Sequence, residues 1–198
     1  MRRSIAAICL ALAMGAAQAA EPVDLLFNTP HLKGVQPGSV LRYDHVRRSD
    51  PTLDLGPDID EAIAVEMGQG AAKRFMLDAD GQPRVFEVND GVPGNPLLMV
   101  FLESTLRSVA KATGGSPFYL RNRMREALRD GLTQDGDALT MRPFAQDANR
   151  VRLGAFADMS VRFELSDKTP GMVVSMAAEA GPEAEPVYSE EIRYETLR

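Results

Sequence analysis

Alternation of apolar and polar positions is the strongest pattern in the chain. Met159, Val161, Phe163 and Leu165 alternate strictly with Ser160, Arg162 and Glu164. That period of two predicts a strand with one buried face. Earlier, Ser39 to Arg48 reads as a strand through Val40, Leu41, Tyr43 and Val46. Ile63, Val65 and Met67 alternate with Ala64 and Glu66, and Phe75 with Leu77 follows across Gly68-Gln69-Gly70. Asp78-Ala79-Asp80-Gly81 turns the chain again into Phe86 and Val88. Short turns between alternating segments predict an antiparallel meander. Toward the C-terminus, Leu139 with Met141 and Val151 with Leu153 predict short strands. Met172, Val174 and Met176 follow the Asp167–Gly171 turn, and Tyr188 to Leu197 closes the chain. Residues 21–38, rich in Pro and Gly, predict an irregular lead-in with Leu25, Leu26 and Phe27 tucked against the fold, and Asp50 to Asp60 predicts a loop.

The period changes at Asn95. Asn95 is a good N-cap, and Pro96 suits the first helical position, where a missing N–H costs nothing. Leu98, Leu102, Val109 and Ala112 recur at helical spacing, widened by Phe101 and Leu106, and Gly114-Gly115 ends the run. Glu103 and Arg107 form an i, i+4 pair in the favoured order. Ser116-Pro117 repeats the cap-then-proline signal, a second helix carries Leu120, Met124, Ala127 and Leu128 on one face, and Gly131 stops it. Strands, two helices, then strands again predict an α+β domain. The expected architecture is a curved, half-barrel-like antiparallel β-sheet with an inserted two-helix hairpin packed on one face, because an apolar helix stripe needs a partner.

The chain has 198 residues and a single cysteine, Cys9. Arg2-Arg3, the apolar run from Ile5 to Met14 and Ala17-Gln18-Ala19 follow the order of a secretory signal peptide. The apolar run is shorter than the roughly 20 residues a membrane span needs. Residues 1–20 are therefore read as a signal peptide cleaved after Ala19 or Ala20, residues 21–198 as one secreted domain, and the compartment as the periplasm. Cys9 leaves with the signal, so the exported chain would carry no thiol, no disulfide and no Cys-ligated metal. Lys and Arg number 22 against 28 Asp and Glu, a net charge of −6. An acidic chain argues against general nucleic-acid binding. No stretch after the signal is apolar enough to span a membrane.

Diagnostic chemistry is absent from the pattern. His31 and His45 lack the neighbours a zinc site needs, although Tyr43 and His45 share a face if the strand is regular. Gly114-Gly115-Ser116 is not a nucleophile elbow, and Gly91-Val92-Pro93-Gly94 lacks the lysine of a P-loop. Neither a cofactor nor a metal is implied. Asp54, Asp58, Asp60 and Glu61 cluster in one loop, and Asp78-Ala79-Asp80-Gly81 resembles the start of a calcium loop without its later ligands. Turn chemistry accounts for them, and cation binding or carboxylate-based hydrolysis stay open as alternatives. One basic feature stands against the acidic background: Arg121, Arg125 and Arg129 fall at i, i+4, i+8 on the second helix. Such a face suits an acidic partner or a head group, or simply solvent.

The outline resembles the periplasmic lipoprotein-carrier proteins and uncharacterised secreted bacterial proteins of the same plan. The residues behind the likeness are the signal peptide, the Pro37-Gly38 entry into the Tyr43 strand, the meander from Ile63 to Val88 and the helices between Asn95 and Asp130. The resemblance implies a helix-covered half-barrel that holds acyl chains, and no functional residue is transferred from it. The leading expectation is a non-enzymatic binding or carrier protein for an apolar or amphipathic, lipid-like ligand. Phe75, Met76, Phe86, Phe101, Met124, Phe163 and Met176 are the expected lining, with Arg121, Arg125 and Arg129 meeting a head group or partner. The alternative is an envelope accessory protein that docks another protein and holds no small ligand.

Overall fold

The computed structural model describes residues 21–68, 73–79, 82–88 and 93–198, with 73–79 and 82–88 described at the level of backbone pairing. Residues 1–20, 69–72, 80–81 and 89–92 lie outside the described residues. The fold is α+β, built on one antiparallel sheet that is not closed. Its strands are β1 (Val40–Ser49), β2 (Ile59–Met67), β3 (Lys73–Ala79), β4 (Gln82–Val88), β5 (Thr133–Asp135), β6 (Ala138–Met141), β7 (Ser160–Leu165), β8 (Val173–Ala180) and β9 (Tyr188–Leu197). They lie in the order β4-β3-β2-β1-β9-β8-β7-β6-β5. Two meanders therefore run outward from the middle, and the first strand pairs with the last. The ladder extends past β9: Val40 N–H donates to Arg198 O at 2.7 Å, and Arg198 N–H donates back at 3.0 Å.

Alternation in the sequence becomes a buried face in the sheet. Tyr43 pairs with Ile63 on one side and Tyr194 on the other. Phe163 sits between Leu139 and Met176, and Val161 between Met141 and Ala178. All of these except Tyr194 are buried. A bulge opposite Arg42 and Tyr43 leaves Glu195 without a cross-strand partner on β1, which keeps both Tyr194 and Leu197 in register with inward positions of β1. β8 is entered through Gly171, at φ 79°, where a side chain's Cβ would lie 2.9 Å from the Tyr43 hydroxyl. Both the left-handed backbone and the close approach call for glycine there.

Between β4 and β5 the chain forms α2 (Leu97–Thr113) and α3 (Pro117–Asp130). Pro96 takes the cap position of α2, while the Asn95 side chain accepts from Leu97 N–H at 3.1 Å. Gly114, at φ 65°, ends α2 in the left-handed conformation its sequence predicts. Ser116 stands at the cap of α3 but makes no side-chain capping hydrogen bond. Glu103 and Arg107 pair as their spacing predicts, at 3.1 Å. Seven of the eight buried residues of α2 fall in two i, i+4 rows, Leu97-Phe101-Thr105-Val109 and Leu98-Leu102-Leu106, with Ser108 beside the first. Phe101 meets Phe163 edge-on, with ring centroids 6.1 Å apart. Such aromatic pairs are worth about 0.5–1.5 kcal/mol beyond their buried area.

Three local expectations need correction. The lead-in is not wholly irregular, because Pro22–Phe27 forms a short helix, α1, with Pro22 in its first turn and Leu26 fully buried. Val151 and Leu153 do not form a strand; Arg150–Leu153 is a single helical turn, α4, and Val151 is 93% exposed. Side-chain bonds hold that turn: Asn149 N–H donates to Asp147, and Arg150 pairs with Asp158 at 2.9 Å. β5 was missed because all three of its residues are exposed and carry no alternation. Among the described residues, no helix is long and apolar enough to cross a membrane.

Candidate functional site

Three places concentrate chemistry: two buried polar nodes and a groove on the outer side of α2. The first node lies where Thr105 of α2 meets β9, beside β1 and β2. His45 Nδ1 is 2.9 Å from Glu61 Oε1, and its Nε2 is 2.9 Å from Glu190 Oε1. Ionised carboxylates only accept, so both ring nitrogens donate and the ring is an imidazolium. Glu190 also accepts from Thr105 of α2 at 3.1 Å and from the hydroxyl of Tyr188. Burial alone would lower the His45 pKa, but the hydrogen bonds and charges of Glu190 and Glu61 outweigh it and raise it to about 9. Burial works against ionised Glu190 as well, and the bonds from His45, Ser104 and Tyr188 still hold its carboxyl below the usual range. Tyr188 is pushed well above its ordinary value by burial and by the neighbouring Glu190 charge.

Register explains how these groups meet. His45 and Glu61 are direct cross-strand partners, while Glu190 stands diagonal to His45, two positions from its partner Ile192. His45, Glu190 and Thr105 are all buried. The cluster leaves no open position beside the imidazole ring, and its arrangement ties three strands and a helix together. Removing one member of such a buried charge set typically costs about 3–5 kcal/mol, because the remaining charges stay buried without their partner.

A second buried node lies at the start of α2. Asn95 donates through its side chain to Tyr43 Oη at 2.9 Å and to Gly171 O at 3.1 Å. Its backbone N–H donates to His31 Nδ1 at 2.9 Å, while His31 Nε2 lies 2.6 Å from Leu25 O. A carbonyl can only accept, so the His31 proton sits on Nε2. This node fixes α1, β1, α2 and the turn into β8 to one another.

On the outer side, α1, α2 and α3 enclose a groove of about 310 Å³. Val23 and Phe27 of α1, Met99, Leu102 and Leu106 of α2, and Met124 and Leu128 of α3 form its apolar lining. Glu103, Arg121, Arg125 and Arg129 supply its polar groups. Arg121 donates to Glu103 at 3.1 Å, and Arg129 to Asp130 at 2.7 Å. Arg125 is exposed and, among the described residues, makes no ion pair. Burial favours a protonated Glu103, but its bonds to Arg121 and Arg107 prevail and lower its pKa. The three arginines recur at helical spacing because α3 is regular, so every turn returns a guanidinium to the same side.

The residues expected to form one lining separate into three groups. Phe101, Phe163 and Met176 have no accessible surface. A side chain bordering a void that admits water would show some, so these three are packed core where α2 meets the sheet. Among the described side chains of the expected lining, Met124 alone borders the outer groove, together with all three expected arginines. Phe75, Met76 and Phe86 lie on β3 and β4, where Phe75 pairs with Val65 and Phe86, and Met76 with Ala64; their side chains lie outside the described residues. The loop acids also separate: Asp58 and Asp60 face Arg48 at 3.7 and 2.8 Å, while Glu61 turns inward to His45. Among the described residues, no group of three or more His, Cys, Asp or Glu side chains is placed to hold a metal ion. The Asp78–Gly81 turn falls partly outside the described residues.

Sequence reasoning gave His45 only Tyr43 as a same-face neighbour and did not single out Glu190. The available signal was alternation: Glu190 falls between Tyr188 and Ile192 on an inward face, as Glu61 does beside Ile63. A carboxylate at an inward position of a strongly alternating strand demands a buried cation, and His45 is the inward-facing candidate on the adjacent strand. Comparison of the sequence with protein-family models and with curated proteins gives no match.

Proposed function

We propose that this chain is an exported, periplasmic binding or carrier protein for an apolar or amphipathic, lipid-like ligand. In this reading the open sheet is a curved, half-barrel-like shell, and α2 and α3 are a hairpin laid on one face of it. The ligand lies on the outer side of that hairpin, in the groove shared with α1. The observation that carries the reading is the groove itself, with apolar side chains from three helices and three arginines of α3 beside them. Ligand sites combine a mostly apolar lining with a few placed polar groups, and about 310 Å³ is at the lower end of their usual size. Against a net charge of −6, Arg125 adds a positive charge at this recess that no acid of the described residues pairs.

The packed interface between α2 and the sheet moves the proposed ligand away from the interior. Core Phe and Met residues then serve as a rigid base that fixes the positions of α2 and α3. Native mass spectrometry of the protein purified from its own exported fraction tests the proposal. A co-purifying lipid-sized adduct that leaves on collisional activation is the expected result. A bare protein mass, with a protein partner retained instead, would replace the carrier reading with that of an envelope accessory protein.

A further inference from the structure

We infer that the groove between α1, α2 and α3 selects a single-chain amphiphile with an anionic head, and that Arg125 is the residue that meets the head. This inference rests on the carrier reading and adds the class of ligand. Three features of the groove carry it.

The first is charge placement. Arg121 is already engaged by Glu103, which also binds Arg107, and Arg129 is engaged by Asp130. Arg125 stands between them on α3 and, among the described residues, has no acidic partner. An incoming carboxylate would thus find one guanidinium uncommitted and two whose charges are already offset. Guanidinium forks match the geometry of carboxylate and phosphate oxygens. A cationic head would meet Arg125 with like charge, and a neutral head could accept a hydrogen bond from it but would bring no opposite charge and no second oxygen for the fork.

The second is shape. The volume of about 310 Å³ suits one acyl chain better than the two chains of a membrane phospholipid. The third is exposure. Met99, on the groove wall, is 55% exposed, a large apolar side chain left in water at the same recess. Covering it contributes to binding through the hydrophobic effect whatever the head, so tail and head contributions can be measured apart.

Calorimetric titration with laurate, dodecanol and dodecyltrimethylammonium, each below its micelle concentration, tests the inference on the full exported chain. Laurate is expected to bind about fivefold or more tightly than dodecanol, the scale of one charge-assisted contact at a partly exposed rim. The ammonium should bind more weakly than dodecanol, and the laurate preference should shrink as salt is raised. Arg125→Ala should reduce the ratio of laurate to dodecanol affinity to near unity, and Arg125→Lys should restore most of it. Equal binding of laurate and dodecanol by the wild type would overturn the anionic-head inference and leave the carrier reading standing. Binding of none of the three would remove the carrier reading itself. A laurate preference that survives Arg125→Ala would overturn the assignment of Arg125.

Discussion

The two sides of α2 face different environments. Toward the sheet, Phe101 and Thr105 enter a closed interface: Phe101 packs on Phe163, and Thr105 donates to Glu190. Toward α1 and α3, Met99, Leu102 and Leu106 border a recess that is apolar, open and edged with arginine. One helix thus supplies both a structural face and an accessible one, divided by about a quarter turn. The comparison teaches that apolar periodicity identifies which residues of a helix leave water, but not which neighbour they meet. Met124 and Met176 are both buried in the core, yet Met124 also borders the groove while Met176 has no accessible surface.

Substitutions can break this contrast, and the largest effects belong on the inner side. Phe163→Ala removes a fully buried ring and the edge-on contact with Phe101, and should cost about 3–5 kcal/mol in chemical denaturation. A loss below about 1 kcal/mol would mean that the interface is looser than described.

Glu190→Gln should come next, at roughly 3 kcal/mol, because it leaves the His45 imidazolium with Glu61 alone. This variant also sharpens the comparison through pH. His45 is raised from 6.5 to about 9, so its contribution is complete below pH 6.5 and is lost progressively as pH rises toward 9. Glu190 is held below 4.5, so its contribution is present above that value and is lost as pH falls through its lowered pKa. Stability should therefore be greatest between about pH 4.5 and 6.5, apart from other titrating groups. In Glu190→Gln the decline from pH 6.5 to 9 should flatten. An unchanged profile would show that His45 is not held by Glu190.

The smallest effect belongs on the outer side. Arg125→Ala should leave the unfolding free energy within about 0.5 kcal/mol of the wild type, since an exposed side chain without an ion pair contributes little to folding. A larger loss would place Arg125 in the architecture and not at a binding surface.

Much of the fold was legible in the sequence, for local reasons. Strict alternation located β7, and the Gly114 stop and the Asn95-Pro96 start bracketed α2 within a residue or two. β5 and α4 were not legible, because exposed strand residues carry no hydrophobic signal and a single turn is too short to show a period. The arginine face of α3 could be read from i, i+4, i+8 spacing alone. The groove beside it could not, since it depends on α1, where Val23 and Phe27 lie far away in sequence and looked like part of a loop. The His45 cluster was hidden for a related reason: its two acids lie 16 and 145 residues away, and only the pairing of the first strand with the last brings Glu190 near.

Methionine methyl NMR gives the most direct test, because the chain places methionines on both sides of the contrast. Met99 and Met124 border the groove, while Met141, Met159 and Met176 are buried in the core. On titration with laurate, the Met99 and Met124 methyl signals should shift together and saturate, with Met141, Met159 and Met176 nearly unmoved. Shifts centred on Met176 and Met159, with Met99 unaffected, would contradict the account by placing the ligand between the helices and the sheet.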